Sequence, residues 1–310
     1  MRRADEKGEG VTQQPIPHWP GRMLGPVFVR STPEGAPERA VYVHGLAGSA
    51  TNWTDLMDEL KDVATGYALD LPGAGFSPAP ADGDYTVDGH ARAVIGLLAD
   101  VGPAHLFGNS LGGAVAVRVA ALRPDLVRSL TLISPALPDL LPRYGPARIA
   151  AAAATPRLGE WVADRLRFVP AAQRVNATFN MVWADAGRIH PDRLSQAVEE
   201  LRRRDDLPYA GRAMIASARG IVAEYFRRGA GSLWSQAARI TAPTLIVYGR
   251  HDRLVRPAMA AKAGRTFRQV RLILLAHAGH VAQMEHPALV AAEARRLIGE
   301  TRLGNAPLAS

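Results

Sequence analysis

The sequence predicts an α/β protein, a mostly parallel central sheet with helices on both faces and one inserted helical cap. Two observations carry that expectation. Short apolar runs alternate with segments of helical spacing over residues 21–135 and again over 239–310, and parallel strands need such a crossover helix between them. Between 136 and 238 the strand-like runs stop, and the chain becomes rich in Ala and Arg at helical spacing, as in RLGEWVADRL at 157–166. The division that follows is a disordered leader at 1–20, a core at 21–135 and 239–310, and a cap at 136–238.

The leader is polar and then punctuated by prolines, a composition that buries too little apolar surface to order itself. Residues 23–30 alternate in polarity and predict an edge strand before the turn Thr32-Pro33-Glu34-Gly35. Strands are expected at 40–43, 65–69, 104–107 and 127–133, with helices near 53–62, 86–101 and 111–122. After the cap, Ala242-Pro243 precedes a strand at 244–248, a helix near 257–267, a strand at 270–275 and a last helix from 283 to 298.

Composition narrows the chemistry. The 310 residues, 47% hydrophobic and 21% charged, suffice for a substantial core. The net charge of +8 is scattered or interleaved with acids, as in EELRRRDD at 199–206. Without a dense basic stripe, no nucleic-acid partner is expected, while weak attraction to anionic membrane surfaces stays open. The lack of cysteine removes disulfides and thiolate metal sites. The apolar run at 149–154 is too short to span a bilayer, and the N-terminus has no apolar core of a secretory signal, so a cytoplasmic location is expected. No phosphate-cradling loop, dinucleotide fingerprint or metal cluster stands in the chain, so neither cofactor nor metal is expected. No pattern here sets the oligomeric state.

Ligands of open parallel sheets collect beyond the carboxyl ends of the strands. His44, Asp70, Ser110, Ser134, Asp252 and His280 stand at those ends. Gly108-Asn109-Ser110-Leu111-Gly112 follows a strand and opens a helix, the setting of a nucleophile elbow. A serine hydroxyl is a poor nucleophile until a base takes its proton, and a strained turn presents it to that base. The amide of Leu111, at the positive end of a helix, can face a developing oxyanion. His44-Gly45-Leu46-Ala47-Gly48 offers a second amide, that of Leu46, with His44 ordering the loop. Asp252 follows a strand and can fix the tautomer of an imidazole; Asp139 is the weaker candidate for that role. His280, after Gly279, is the expected general base, and His277 caps the strand.

Together these motifs resemble the α/β-hydrolase fold family. The resemblance covers about 22–135 and 240–300 and rests on His44-Gly45 with Trp53, Asp70-Leu71-Pro72-Gly73-Ala74-Gly75-Phe76-Ser77, Gly108-Asn109-Ser110-Leu111-Gly112-Gly113, Gly249-Arg250-His251-Asp252 and Gly279-His280. It implies Ser110 as nucleophile, Asp252 as acid, His280 as base, Leu46 and Leu111 as oxyanion donors, and Asp70 as a loop organiser. Serine at the elbow, where epoxide hydrolases and haloalkane dehalogenases carry aspartate, implies an acyl-enzyme. Asn109 and Asn52 look like those of carbon–carbon hydrolases of ring-fission products, yet Val281 and Met284 stand where tryptophans would be expected. The expected activity is hydrolysis of carboxylic esters with small or medium apolar acyl groups, the small-molecule ester being the expected partner. The alternatives are carbon–carbon hydrolysis and non-catalytic ligand binding on the same scaffold. Asn109, His44 and Val281 are expected to line the substrate site, and part of the cap's large apolar residues (Trp161, Phe168, Phe179, Met181, Trp183, Met214, Tyr225, Phe226 and Trp234) to shape an apolar acyl pocket.

Overall fold

The computed structural model describes residues 15–139, 155 and 157–304. Eight strands form one sheet: β1 (Gly21–Leu24), β2 (Val27–Ser31), β3 (Glu38–Val43), β4 (Ala64–Leu69), β5 (Ala104–Asn109), β6 (Val127–Ile133), β7 (Thr244–Gly249) and β8 (Val270–Leu275). Their order is β1-β2-β4-β3-β5-β6-β7-β8. The first two pairings, β1 with β2 and β2 with β4, are antiparallel, and every later pairing is parallel. Strands β4, β5 and β7 are buried along their whole length, as a sheet covered on both faces requires.

The helices are α1 (Thr54–Leu60), α2 (Val87–Val101), α3 (Leu111–Leu122), α4 (Leu158–Leu166), α5 (Ala171–Val182), α6 (Pro191–Asp205), α7 (Ala210–Phe226), α8 (Leu233–Ala237), α9 (Met259–Thr266), α10 (Ala282–Glu285) and α11 (Pro287–Gly304). One apolar core gathers Val41, Val43, Leu106 and Tyr248 of the sheet with α2, α3 and α9. The other gathers Tyr42, Phe107, Leu245 and Val247 with Trp53, α1 and α11. Alternation along each strand sends successive side chains to opposite faces, which is why two cores exist.

Three details depart from the sequence reading. The edge strand expected at 23–30 is a hairpin, β1 and β2, because Gly25 takes a positive φ of 55° and reverses the chain. The last helix breaks at His286 into α10 and α11, the second opening on Pro287, a residue that suits a first helical turn but not an interior. Of the expected leader, residues 1–14 lie outside the described residues. Its end is fixed, with Trp19 Nε1 donating to Thr54 O at 3.2 Å and Arg30 donating to Trp19 O at 2.7 Å.

Between β6 and β7 the described residues form helices α4–α8 and no strand. Part of this insert packs on itself: Val175, Phe179, Trp183 and Leu201 make a small core that Val281 and Met284 complete from the sheet side. Trp161, Phe168 and Phe226 instead face solvent. Helix α6 clasps the loops beyond β3 and β4: Arg193 reaches Asp55 at 2.6 Å, Glu200 accepts from Ser49 Oγ at 2.8 Å and Thr51 Oγ1 at 3.2 Å, Arg203 donates to Gly75 O at 2.6 Å, and Arg204 donates to Ala47 O at 3.1 Å. Helix α7 is bolted to α3 by Arg118, which is 3% exposed and gives Glu224 two bonds of 2.9 Å. Among the described residues, no helix is long and apolar enough to cross a membrane.

Candidate active site

Ser110 links β5 to α3 with φ 53° and ψ −117°, backbone that a side chain adopts only under strain. Its flanking glycines explain how the turn closes. A Cβ on Gly108 would strike the Gly112 carbonyl, one on Gly112 would strike Val43 O, and one on Gly113 would lie 2.7 Å from Pro135 Cβ. Main chain therefore rests on main chain around the serine, and Ser110 N donates to Ile133 O at 3.1 Å. The first amides of a helix have no intrahelical partner, so that of Leu111 is available at the turn.

Asp252 and His280 come together from the loops after β7 and β8. His280 Nδ1 lies 2.9 Å from Asp252 Oδ2, and the residues are 3% and 1% exposed respectively. The other carboxylate oxygen accepts from the amides of Leu254 at 2.8 Å and Val255 at 2.9 Å. Burial pushes the Asp252 carboxyl up, but the His280 charge and hydrogen bond, the Val255 amide and Ser134 outweigh it and hold the group below its ordinary value. The carboxylate thus stays ionised beside the ring. Among the described residues the imidazole makes no hydrogen bond to the Ser110 hydroxyl, a bond that catalytic sites without substrate often leave long.

The His44–Gly48 loop faces this turn. A Cβ on Gly45 would stand 3.2 Å from Ser110 Cβ, which places the Leu46 amide's own loop directly against the serine. His44 uses both ring nitrogens, Nδ1 with Gly45 O at 2.7 Å and Nε2 accepting from Leu71 N at 3.0 Å. Burial lowers its pKa to about 4, so at neutral pH it is an uncharged brace. Asp70 holds the same region, accepting from Ala50 N at 2.6 Å and Phe76 N at 2.7 Å.

Two of the expected lining residues also have structural partners. Asn109 is buried, and its Nδ2 donates to Ile133 O and His280 O, both at 3.0 Å; it ties the elbow to the main chain of His280. Val281 closes the insert's small core. His44 does line a cavity, together with Leu46 and Leu111. Asp139, the second acid candidate, is held by Arg256 in two bonds of 2.6 and 2.7 Å, away from the role proposed for it.

Sequence reasoning missed Glu285. Its carboxylate accepts from Gly279 N and Ala184 N, both at 2.7 Å, while His280 N donates to Val182 O at 2.7 Å. A Cβ on Gly279 would lie 2.6 Å from Val182 O. The loop carrying His280 is thus sewn to the insert's 182–184 stretch, and no spacing in the chain announces a contact between residues about a hundred positions apart.

Comparison with known proteins identifies the family. A profile of the alpha/beta hydrolase fold matches residues 41–287. The chain is 28% identical over 257 residues to a dihydrolipoyllysine-residue acetyltransferase component of an acetoin cleaving system from Cupriavidus necator, covering 81% of this chain and 61% of that protein. It is 27% identical over 269 residues to a 2-hydroxy-6-oxononadienedioate/2-hydroxy-6-oxononatrienedioate hydrolase from Cupriavidus pinatubonensis, covering 84% and 86%. It is 28% identical over 266 residues to a pimeloyl-[acyl-carrier protein] methyl ester esterase from Neisseria meningitidis, covering 85% and 93%. The profile spans most of the sheet and the whole insert, and the chain belongs to the α/β-hydrolase fold family.

Proposed function

We propose that this hydrolase cleaves carboxylic esters with small or medium apolar acyl groups through a Ser110–His280–Asp252 triad and an acyl-enzyme. His280 takes the Ser110 proton as the oxygen attacks the ester carbonyl. The tetrahedral oxyanion is met by the amides of Leu46 and Leu111, donors worth roughly 3–4 kcal/mol each in the transition state. The imidazolium returns its proton to the departing alcohol, and water repeats the sequence on the acyl-enzyme. Asp252 keeps the ring in the tautomer that bares Nε2. Helices α4–α8 act as the cap over this edge of the sheet.

The observation that carries the reading is the buried 2.9 Å imidazole–carboxylate bond at the same sheet edge as the strained serine. A fluorophosphonate probe tests it: labelling of the wild type and none of Ser110→Ala is expected, and equal labelling of both would overturn it. The second reading, carbon–carbon hydrolysis, is favoured by the likeness to the Cupriavidus pinatubonensis hydrolase, whose named substrate contains no ester. Turnover of a ring-fission dienone in preference to simple alkyl esters would select it.

A further inference from the structure

A small cavity opens beside the two oxyanion donors. It is lined by Leu46 and Leu111 themselves, by Ala213, Met214 and Ser217 of α7, and by Arg204 of α6. Its volume is about 30 Å³, above the roughly 10–15 Å³ that holds one water. With the cap docked it admits one small group and no long chain.

The wall is mostly apolar with one charge. His44 and His90 also line the cavity, and burial lowers the pKa of each to about 4, leaving both uncharged at neutral pH. Arg204 is then the one lining residue among those described that is charged at pH 7. The acids near it are already engaged: Asp205 by two bonds from Arg174, and Glu200 by Ser49 and Thr51. Arg204 Nη1 donates to Ala47 O, which leaves further N–H groups of the guanidinium fork. The Ser217 hydroxyl also lines the cavity, 3.0 Å from His90 Nε2.

A partly desolvated guanidinium and a hydroxyl lining one cavity are groups that receive an anion, and a planar carboxylate matches the fork. We propose that the natural ester carries a carboxylate a few bonds from its scissile carbonyl, received by Arg204 with Ser217, so that Arg204 determines specificity for acid-bearing substrates. This rests on the serine-ester reading and deepens it: the acid sits on the alcohol side, or on the acyl side in place of a wholly apolar acyl group. Ala47, whose carbonyl holds Arg204, is the chain neighbour of Leu46, and both line the cavity, so the proposal puts the anion on the oxyanion-loop side with a short spacer.

Two matched pairs test it: monoethyl succinate against ethyl butyrate, with the carboxylate on the acyl side, and 3-acetoxypropanoate against propyl acetate, with it on the alcohol side. The wild type is expected to prefer the acid in at least one pair. Arg204→Gln is expected to lower kcat/KM for that acid by about 10- to 100-fold more than for its neutral twin, chiefly through KM, and Arg204→Lys to recover part of the difference. Equal losses on both twins would make Arg204 a brace of the Ala47 loop only and overturn the proposal, as would no acid preference in either pair. Independently of turnover, calorimetry on Ser110→Ala should show the preferred acid binding and Arg204→Gln weakening it; no such binding also overturns it. If Ser110→Ala instead keeps hydrolysing the neutral esters, the serine reading itself has failed, a separate result.

Discussion

At the scale of single residues, each member of the proposed triad could be read from the chain because residue type and strand end coincide. Ser110 follows its strand directly, Asp252 stands three residues beyond the end of β7 and His280 five beyond the end of β8, and a parallel sheet brings such ends to one edge. Asn109 was legible as a neighbour but not as a brace, since its partners Ile133 and His280 are chosen by folding alone. Replacing it by Ala leaves two buried carbonyls without that donor and should cost about 1–3 kcal/mol, measured by urea unfolding, with kcat falling more than KM changes. Asp252→Asn should keep the fold but lower kcat by about 10⁴, because the amide no longer enforces the productive tautomer; ester kinetics beside a thermal melt will check both halves. Ser110→Ala and His280→Ala should each approach a loss of about 10⁶ in kcat, as members acting as one unit do.

At the scale of elements, the strand–helix alternation was visible because short continuous apolar runs give way to helical spacing at each boundary. The hairpin β1–β2 was not, because Gly25-Pro26 interrupts a run whose polarity alternates on both sides. The glycines after the elbow have a packing reason that only tertiary structure discloses. Gly112→Ala drives a methyl into Val43 O, and the expected loss is about 3 kcal/mol through forced separation of α3 from β3. The α3–α7 contact offers a sharper test. Arg118→Met leaves the buried Glu224 carboxylate to Arg227 at 3.6 Å and should destabilise by about 3 kcal/mol, whereas Arg118→Met combined with Glu224→Leu should regain most of it. A denaturation series on the four proteins of that cycle gives the answer.

For the molecule as a whole, the place of the insert between β6 and β7 was legible where periodicity changed, but its docking was not. The clasp by α6 depends on Arg193, Glu200, Arg203 and Arg204, residues indistinguishable in the sequence from a solvated helix face. Whole-molecule stability should also depend on acid through buried imidazoles. Burial lowers His90 from 6.5 to about 4. Below pH 6.5 the unfolded chain gains a proton there that the folded protein refuses until about pH 4, so stability falls as pH falls through that window. His90→Gln removes this single uptake, and its unfolding free energy should decline less steeply than the wild type's by about 1.4 kcal/mol per pH unit. Parallel urea titrations at pH 7, 5.5 and 4.5 measure the difference in slope, and identical slopes would count against a buried, neutral His90.

The seam between the 182–184 stretch and the base loop constrains traffic through the enzyme. His280 N–H is held by Val182 O, and Arg253 adds a bond to Trp183 O at 3.0 Å. Were the helices over the sheet to lift off as a block, they would carry the anchorage of the imidazole with them and leave a disarmed catalyst. That stretch is a doorpost, then, and the door must hang elsewhere: reactant enters and product departs while residues 182–184 stay where they are.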